Sequence, residues 1–161
     1  QGEGEEEGGR GGRKKDNDHK DGEQHVLMIN VDVAGAVLGK DVAMATSEAA
    51  LADYINYLGK EIGFSISAKQ DIYSSDSTPF ADKGVPSVSF CRFGTPGAAF
   101  IHNRYDQIQF RSSTSLGKTA DFVLEFSKRV INSVAFPVAK TIPENMKKKI
   151  DEYNFRNLNK K

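Results

Sequence analysis

An apolar run that begins at Val26 most constrains the fold of this chain. It reads Val-Leu-Met-Ile-Asn-Val-Asp-Val-Ala-Gly-Ala-Val-Leu-Gly, and it is rich in β-branched residues and apolar on both faces. A strand with this pattern is typically buried on both sides, in a sheet that helices cover on each face. We therefore expect a central strand here, in a domain where strands and helices alternate.

Three further segments have strand patterns, and helical patterns separate them. They are Asp41–Thr46, expected as a short edge strand, Phe64–Lys69 and Val85–Arg92. The residues expected on the inner faces of the two longer helices are Leu51, Ile55, Leu58 and Ile62, and then Leu116, Ala120, Val123, Leu124 and Ile131. The alternation predicts an α/β fold with a mostly parallel central sheet flanked by helices.

Capping residues and glycines give the helix boundaries. The predicted boundaries are Thr46 or Ser47 and Gly63 for the first helix, Asp76 and Gly84 for a short second helix, Ser112 or Ser113 for the long helix, and Pro143 for the last one.

The first 25 residues differ in composition from the rest of the chain. They contain none of Ala, Val, Ile, Leu, Met, Phe, Tyr or Cys, and they are rich in glycine and charge. Such a segment buries too little surface to offset its ordering entropy. We expect a polar segment over residues 1–25 and one folded domain over residues 26–161.

Bulk properties exclude several classes of partner. The formal net charge is zero and no basic stripe is present, so nothing favours nucleic acid. No apolar run approaches the ~18 residues of a membrane span. Cys91 is the single cysteine and is expected in the core, and one thiol leaves a secreted or a cytoplasmic location open.

Two residues have side chains that are unusual for a buried strand and for the loop that follows it. Asp32 lies inside the first apolar run, where a carboxylate is costly unless it is paired or coordinates a metal. His102 follows the last strand, with Asp106 four residues later, an arrangement suited to a metal ligand or general base. These residues predict a metal centre or an ion-paired site.

Three motifs, which occur in a fixed order, together resemble those of a known protein family. They are Asn30-Val31-Asp32, then Ser75-Asp76-Ser77-Thr78-Pro79-Phe80 with Gly84-Val85-Pro86, and then His102-Asn103-Arg104-Tyr105-Asp106. Together they resemble the C-terminal half of an M28-family zinc exopeptidase, a co-catalytic aminopeptidase, over roughly residues 26–132. The resemblance implies the zinc-exopeptidase (phosphorylase/hydrolase-like) fold, with zinc ligands at Asp32 and His102. The family usually has His where Ser77 stands.

The polar N-terminal segment contains a second resemblance to the same family. Glu5-Glu6-Glu7-Gly8-Gly9-Arg10-Gly11-Gly12 is similar to the family's Glu-Glu-x-Gly-x-x-Gly-Ser context. On this register Glu5 is the general base and Glu6 a zinc ligand. Gly12 stands where Ser is usual, and Gly9 where an apolar residue is expected. A glutamate-pair loop and a flexible arm both remain open for residues 1–25.

The family's first histidine ligand and its bridging aspartate lie upstream of the glutamate pair. No residue before Glu5 can supply them, and His19 and His25 follow the pair, so both are expected as polar surface. The resemblance therefore implies a fold that is incomplete at the N-terminus. Another chain or segment would supply the missing ligands.

The resemblance also implies an activity. A complete site would hold two zinc ions and a bridging water, and it would hydrolyse the N-terminal bond of a peptide substrate. Tyr73 is a candidate donor to the oxyanion, or a tyrosine packed at a loop edge. Asp106 orients a ligand or caps the loop backbone, and Asp76 is an N-cap first and a functional residue second. Phe93, Phe100 and the loop over residues 94–99 are expected to line the pocket.

Two alternatives keep the fold and change the function. Glutaminyl cyclases resemble this family and use one zinc to close an N-terminal glutamine ring, and Asp32 and His102 fit them equally. A non-catalytic relative would use the fold as a binding or dimerisation module. Release of free amino acids, as against pyroglutamate, distinguishes the first two.

Overall fold

The computed structural model describes residues 26–93 and 101–156, in which four strands form one mixed sheet. The strands are β1 (Met28–Val31), β2 (Lys40–Thr46), β3 (Ile66–Gln70) and β4 (Ser87–Phe93), in the order β1-β4-β2-β3. β1 runs parallel to β4 and β2 parallel to β3, whereas β2 and β4 are antiparallel. Two of the three pairings are parallel, so the predicted α/β fold with a mostly parallel sheet is confirmed.

Two predicted strand positions are wrong. The Val26 run lies at an edge of the described sheet, where β1 is half-buried and Val31 is 47% exposed. The Asp41–Thr46 segment is interior, because β2 lies between β4 and β3. The central strand is β4, whose first five residues are all buried. Ala43 and Ala45 of β2 are fully buried in the main core, and the neighbours of a strand depend on the whole sheet, which the periodicity of a single strand does not reveal.

The helices are α1 (Ala49–Ile62), α2 (Ser77–Asp82), α3 (Ser113–Ile131) and α4 (Glu144–Tyr153), with a 3-10 turn at Ile108–Phe110. Alternation along β4 separates two layers. Val88 and Phe90 lie in the core with α1 and α3, whereas Ser89 on the opposite face bonds to Ser77 of α2. α4 packs on α2 in a second, smaller core. No helix in the described part of the chain is long and apolar enough to cross a membrane.

Helix ends largely follow the predicted signals. Gly63 adopts a left-handed conformation (φ 73°) at the end of α1, and Gly84 does so (φ 85°) after α2. The Ser112 hydroxyl accepts a hydrogen bond from the Ser115 amide at 3.1 Å, so the cap of α3 is confirmed. The predicted N-cap of α1 is wrong, because the residue that precedes its first turn is Glu48 and not Thr46 or Ser47.

The predicted inner face of α3 is also wrong in part. Leu116, Leu124 and Ile131 are between 51% and 78% exposed, and Ala120 is exposed too. The buried residues of this helix are Thr119, Phe122, Phe126 and Val130. Both sets recur at helical spacing, and the aromatic set is selected because its rings interlock with Phe64, Phe90 and Tyr54. In α1, Leu51, Ile55 and Leu58 are buried as predicted, and Ile62 is 41% exposed.

Candidate metal centre

Asp32 directly follows β1 and lies at its carboxyl end. Its backbone amide donates to the Phe90 carbonyl at 2.9 Å, which extends the β1–β4 ladder by one residue. Val33 then takes a left-handed conformation (φ 53°), so the chain leaves the sheet abruptly. Alternation places Asp32 on the same face as Asn30, whose amide donates to Ser89 at 3.4 Å. Asp32 is half-buried and forms no ion pair with any described residue.

Tyr73 lies in the loop between β3 and α2 and contacts the same end of the sheet. Its ring packs edge-on against Phe93, the last residue of β4, with ring centroids 5.2 Å apart. Burial raises the pKa of Tyr73 to about 12, and the negative charge of Asp32 acts in the same direction. The charge of Asp32 therefore acts on the Tyr73 phenol at this end of the sheet. The phenol stays protonated at neutral pH and can act as a hydrogen-bond donor.

A network of hydroxyl groups lies beneath the Tyr73 loop. The Ser75 hydroxyl lies 2.9 Å from that of Ser77 and 2.8 Å from that of Ser89, and Ser89 donates to Ser77 at 2.8 Å. The Tyr73 carbonyl accepts hydrogen bonds from Ser75 at 3.2 Å and from Thr78 at 3.0 Å. Every member of this network has a partner, so it fixes the loop without leaving a buried polar group unpaired. Sequence reasoning did not identify it, although serines alternate with apolar residues along β4.

Cys91 lies on β4 near the same end of the sheet. It is buried and free, as predicted, and burial raises the pKa of its thiol to about 12, with the negative charges of Asp32 and Asp41 acting in the same direction. A thiol of this kind stays protonated and unreactive at neutral pH. It therefore serves as a small core residue.

His102 lies in a turn and has an unusual backbone conformation. Its φ is 63°, in the left-handed region that non-glycine residues rarely adopt, and its side chain is exposed. Such strain persists where the surrounding structure imposes it, and it often occurs at functional sites.

The His102 segment is fixed to the segment that follows Asp32. Ala36 and Arg111 form an isolated antiparallel bridge. Beside it, the Ser112 amide donates to the Gly35 carbonyl at 2.8 Å, and the Val37 amide donates to the Phe110 carbonyl at 3.2 Å. The two loops that carry the predicted ligands therefore belong to one hydrogen-bonded unit.

The two predicted supporting aspartates lie in different surroundings. Asp106 accepts a hydrogen bond from Arg111 as an ion pair, and its own amide donates to the Asn103 carbonyl at 3.0 Å. Asp76 occupies the N-cap position of α2, as predicted, but its exposed side chain makes no capping hydrogen bond. Ser75 supplies that role, since its carbonyl accepts from the Thr78 amide at 3.1 Å.

Several predicted site residues lie outside the described ranges. These are Glu5, Glu6, Phe100 and the loop over residues 94–99. Across residues 26–93 and 101–156, no group of three or more His, Cys, Asp and Glu side chains is placed to hold a metal ion.

Sequence reasoning also missed two arginines of this region. Arg92 at the end of β4 bonds to Asp41 at 2.5 Å and to the Ala36 carbonyl at 3.0 Å, so it fixes the loop after β1 from the inner side. Arg111 pairs with the same loop through its bridge to Ala36. Only the spatial neighbours of these two arginines reveal their role.

Comparison with solved structures identifies the class of fold. The chain is similar to the crystal structure of BSAP, a zinc aminopeptidase from Bacillus subtilis, with a TM-score of 0.55 and 20% sequence identity. The similarity covers 73% of this chain and 32% of that chain, so this chain spans about a third of the length of the aminopeptidase. The fold is therefore the one found in a zinc aminopeptidase.

Sequence comparison identifies the family. Residues 2–127 match the sequence model of Peptidase family M28, which is more than half of the chain. The chain belongs to Peptidase family M28. Comparison with curated proteins finds no match.

Proposed function

We propose that this chain forms part of a zinc-dependent aminopeptidase that hydrolyses the N-terminal bond of peptides through a water activated by two zinc ions. The observation that carries the proposal is the position of Asp32 at the carboxyl end of β1, inside the range that matches the family and near enough to Tyr73 for its charge to act on the phenol. A hydrogen-bond donor near a carboxylate that can bind zinc suits peptide hydrolysis.

The chemistry of the available donors fits zinc. Asp32 is a half-buried carboxylate with no cation among the described residues, and such a group is costly unless it coordinates or pairs. Carboxylate oxygen and imidazole nitrogen are ordinary zinc ligands, so Asp32 and His102 would each hold an ion. Glu6 would be a further ligand. The family match begins at residue 2, and it therefore includes both Glu5 and Glu6.

Bound zinc would lower the pKa of a coordinated water towards neutrality and polarise the scissile carbonyl. Glu5 would accept the proton of that water and pass it to the leaving amine. The Tyr73 hydroxyl, which is protonated at neutral pH, would donate to the oxyanion that develops on the former carbonyl. The missing histidine and bridging aspartate would come from another chain or segment, as the family resemblance implies.

The test measures bound zinc and the rate of amino-acid release in the longest available form of the protein. Asp32→Ala and His102→Ala should each lower the bound zinc and abolish release of N-terminal amino acids. Asp53→Ala, an exposed carboxylate on α1, is the matched control and should change neither. Unchanged zinc stoichiometry in both site variants would refute the ligand assignment.

A second pair of variants tests the glutamate register. Glu5→Gln should keep zinc bound and stop turnover, whereas Glu3→Gln in the same segment should leave turnover intact. Full activity of Glu5→Gln would show that residues 1–25 are not the base-carrying loop. Pyroglutamate formation from an N-terminal glutamine peptide, without amino-acid release, would assign the protein to the cyclase reaction instead.

A further inference from the structure

The C-terminal helix α4 lies outside the family match, which ends at residue 127. It packs on α2, on the side of the sheet opposite α1 and α3. Met146 and Ile150 are buried against Ala81 of α2, and Ile72 joins them from the loop before that helix. This small core attaches α4 to the segment that carries Tyr73.

The polar contacts of α4 and its C-terminal turn with the rest of the domain all fall on one stretch of chain, from β3 to the end of α2. They are Asn145 to Gln70 at 2.9 Å, Lys149 to Asp71 at 3.1 Å, Tyr153 to Ser74 at 2.5 Å, and Arg156 to the two oxygens of Asp82 at 2.5 and 2.7 Å. The contacts are therefore distributed along the loop and not gathered at one point. A helix attached in this way restricts the path of the whole loop.

Tyr73 lies between two of the attached residues. Asp71 is held by Lys149 on one side, and Ser74 is held by Tyr153 on the other. On the other side, Ser75 of the loop and Thr78 of α2 donate to the Tyr73 carbonyl. The backbone at Tyr73 is thus held between α2 and α4, and its ring packs against Phe93.

These contacts contribute little to global stability. Tyr153 is 42% exposed and Ser74 is exposed, and exposed hydrogen bonds and ion pairs have small net free energies. Their larger effect is on local motion, because a displacement of about 1 Å at a reacting group can cost about 10²-fold in rate. The contacts therefore suit a role in placement.

We propose that α4 is a positioning element for Tyr73, in which Tyr153 and Arg156 hold the 71–82 segment so that the Tyr73 hydroxyl stays directed at the site. The link to catalysis rests on the proposed function, since it requires Tyr73 to act in the reaction. The control of loop motion does not depend on that function. The two parts can therefore be tested separately.

The test uses the longest available form of the protein and two measurements. Tyr153→Phe removes only the hydroxyl that meets Ser74. We expect hydrogen exchange of the 71–78 segment to accelerate about 10-fold while α1 stays protected. In aminopeptidase assays we expect kcat to fall about 10-fold with KM within twofold, because substrate binding is unchanged. Tyr57→Phe, on the exposed face of α1, is the matched control and should change neither quantity.

Three further variants keep the result interpretable. Ser74→Ala removes the same hydrogen bond without altering α4, so it should reproduce Tyr153→Phe even if that variant folds poorly. Arg156→Gln should also loosen the segment, and Arg156→Lys should restore part of the protection by retaining the charge beside Asp82.

The outcomes distinguish the two proposals. Unchanged exchange of residues 71–78 in Tyr153→Phe, Ser74→Ala and Arg156→Gln would overturn the positioning role. Accelerated exchange with unchanged kcat in an active enzyme would limit α4 to a structural role and overturn its link to catalysis. If the longest available form of the protein releases no amino acid, the proposed function fails, and the exchange data alone decide whether α4 controls the loop.

Discussion

Ala36 forms an isolated antiparallel bridge with Arg111, and this pairing joins the segment after Asp32 to the segment that carries His102. The Arg111 guanidinium also bonds to Asp106, four residues after His102. A single arginine therefore contacts both loops that are expected to carry zinc ligands. The placement of His102 relative to Asp32 depends on this connection.

Arg111→Met should weaken zinc binding without unfolding the domain. The substitution removes the ion pair with Asp106 and leaves the His102 turn less constrained, and loss of a supporting partner typically lowers metal affinity about 10–100-fold. The free energy of unfolding should change by less than about 1 kcal/mol, because the pair is partly exposed. Competition with a chelator of known affinity measures the first quantity, and urea titration of the zinc-free protein the second.

Asp106→Asn should change zinc affinity in the same direction, since it breaks the same pair from the other side. Arg104→Met, in the same loop, is the control, because Arg104 contacts Tyr105 and not Asp106. Equal zinc affinity in all three variants and the unmodified protein would contradict the role of Arg111.

Tyr73→Phe should lower kcat by about 10²–10³-fold, the usual cost of removing one donor to an oxyanion. Phenylalanine keeps the edge-on packing against Phe93, so stability and zinc content should stay close to those of the unmodified protein. Steady-state assays on an aminoacyl anilide give the rate, and Tyr57→Phe serves as the control. Unchanged kcat would make Tyr73 a packing residue only.

Phe126→Ala and Leu124→Ala should separate the two faces of α3. Phe126 is fully buried and packs against Phe90, with ring centroids 5.5 Å apart, so its truncation should destabilise the domain by about 3–5 kcal/mol. Leu124 is 53% exposed, and its truncation should cost less than about 1 kcal/mol. Chemical denaturation measures both, and a larger cost at Leu124 would contradict the described orientation.

This helix shows why sequence periodicity predicts the fold class better than the packing. In α3 two apolar stripes, one through Leu124 and one through Phe126, both repeat at helical spacing. The choice between them depends on partners such as Phe90, which lies about 36 residues earlier in the chain. The same limit explains the exchanged positions of β1 and β2, since the neighbours of a strand are decided by the whole sheet.

The candidate site could be predicted only in part. Asp32 and His102 stand out because a carboxylate in an apolar run and a histidine after a strand are chemically unusual, and their role as zinc ligands stays a prediction. Arg111 and the serines beneath Tyr73 do not stand out, because arginine and serine are common surface residues and only their contacts give them a role. The described structure supplies those contacts.

The attachment of α4 should also be sensitive to acid. Burial raises the pKa of Asp71, but hydrogen bonds from Lys69, Lys149 and the Ile72 amide outweigh it and lower the pKa to about 2 from an ordinary 3.8. A carboxyl group with a lowered folded pKa stabilises the fold above its unfolded pKa and loses that contribution as the pH falls. The loss should therefore occur between about pH 4 and pH 2, and after allowance for solvent screening it should amount to about 1 kcal/mol.

Lys149→Met tests this directly, because it removes the contact between α4 and Asp71. At pH 6 the variant should be less stable than the unmodified protein by up to about 1 kcal/mol, and near pH 2 most of this difference should be lost, since the folded pKa of Asp71 is then reached. Lys148→Met, on the exposed side of the same helix, should follow the unmodified protein at every pH. Urea titrations across this range measure the difference. A stability gap that stays constant from pH 6 to pH 2 would show that Lys149 acts through packing and not through the Asp71 charge.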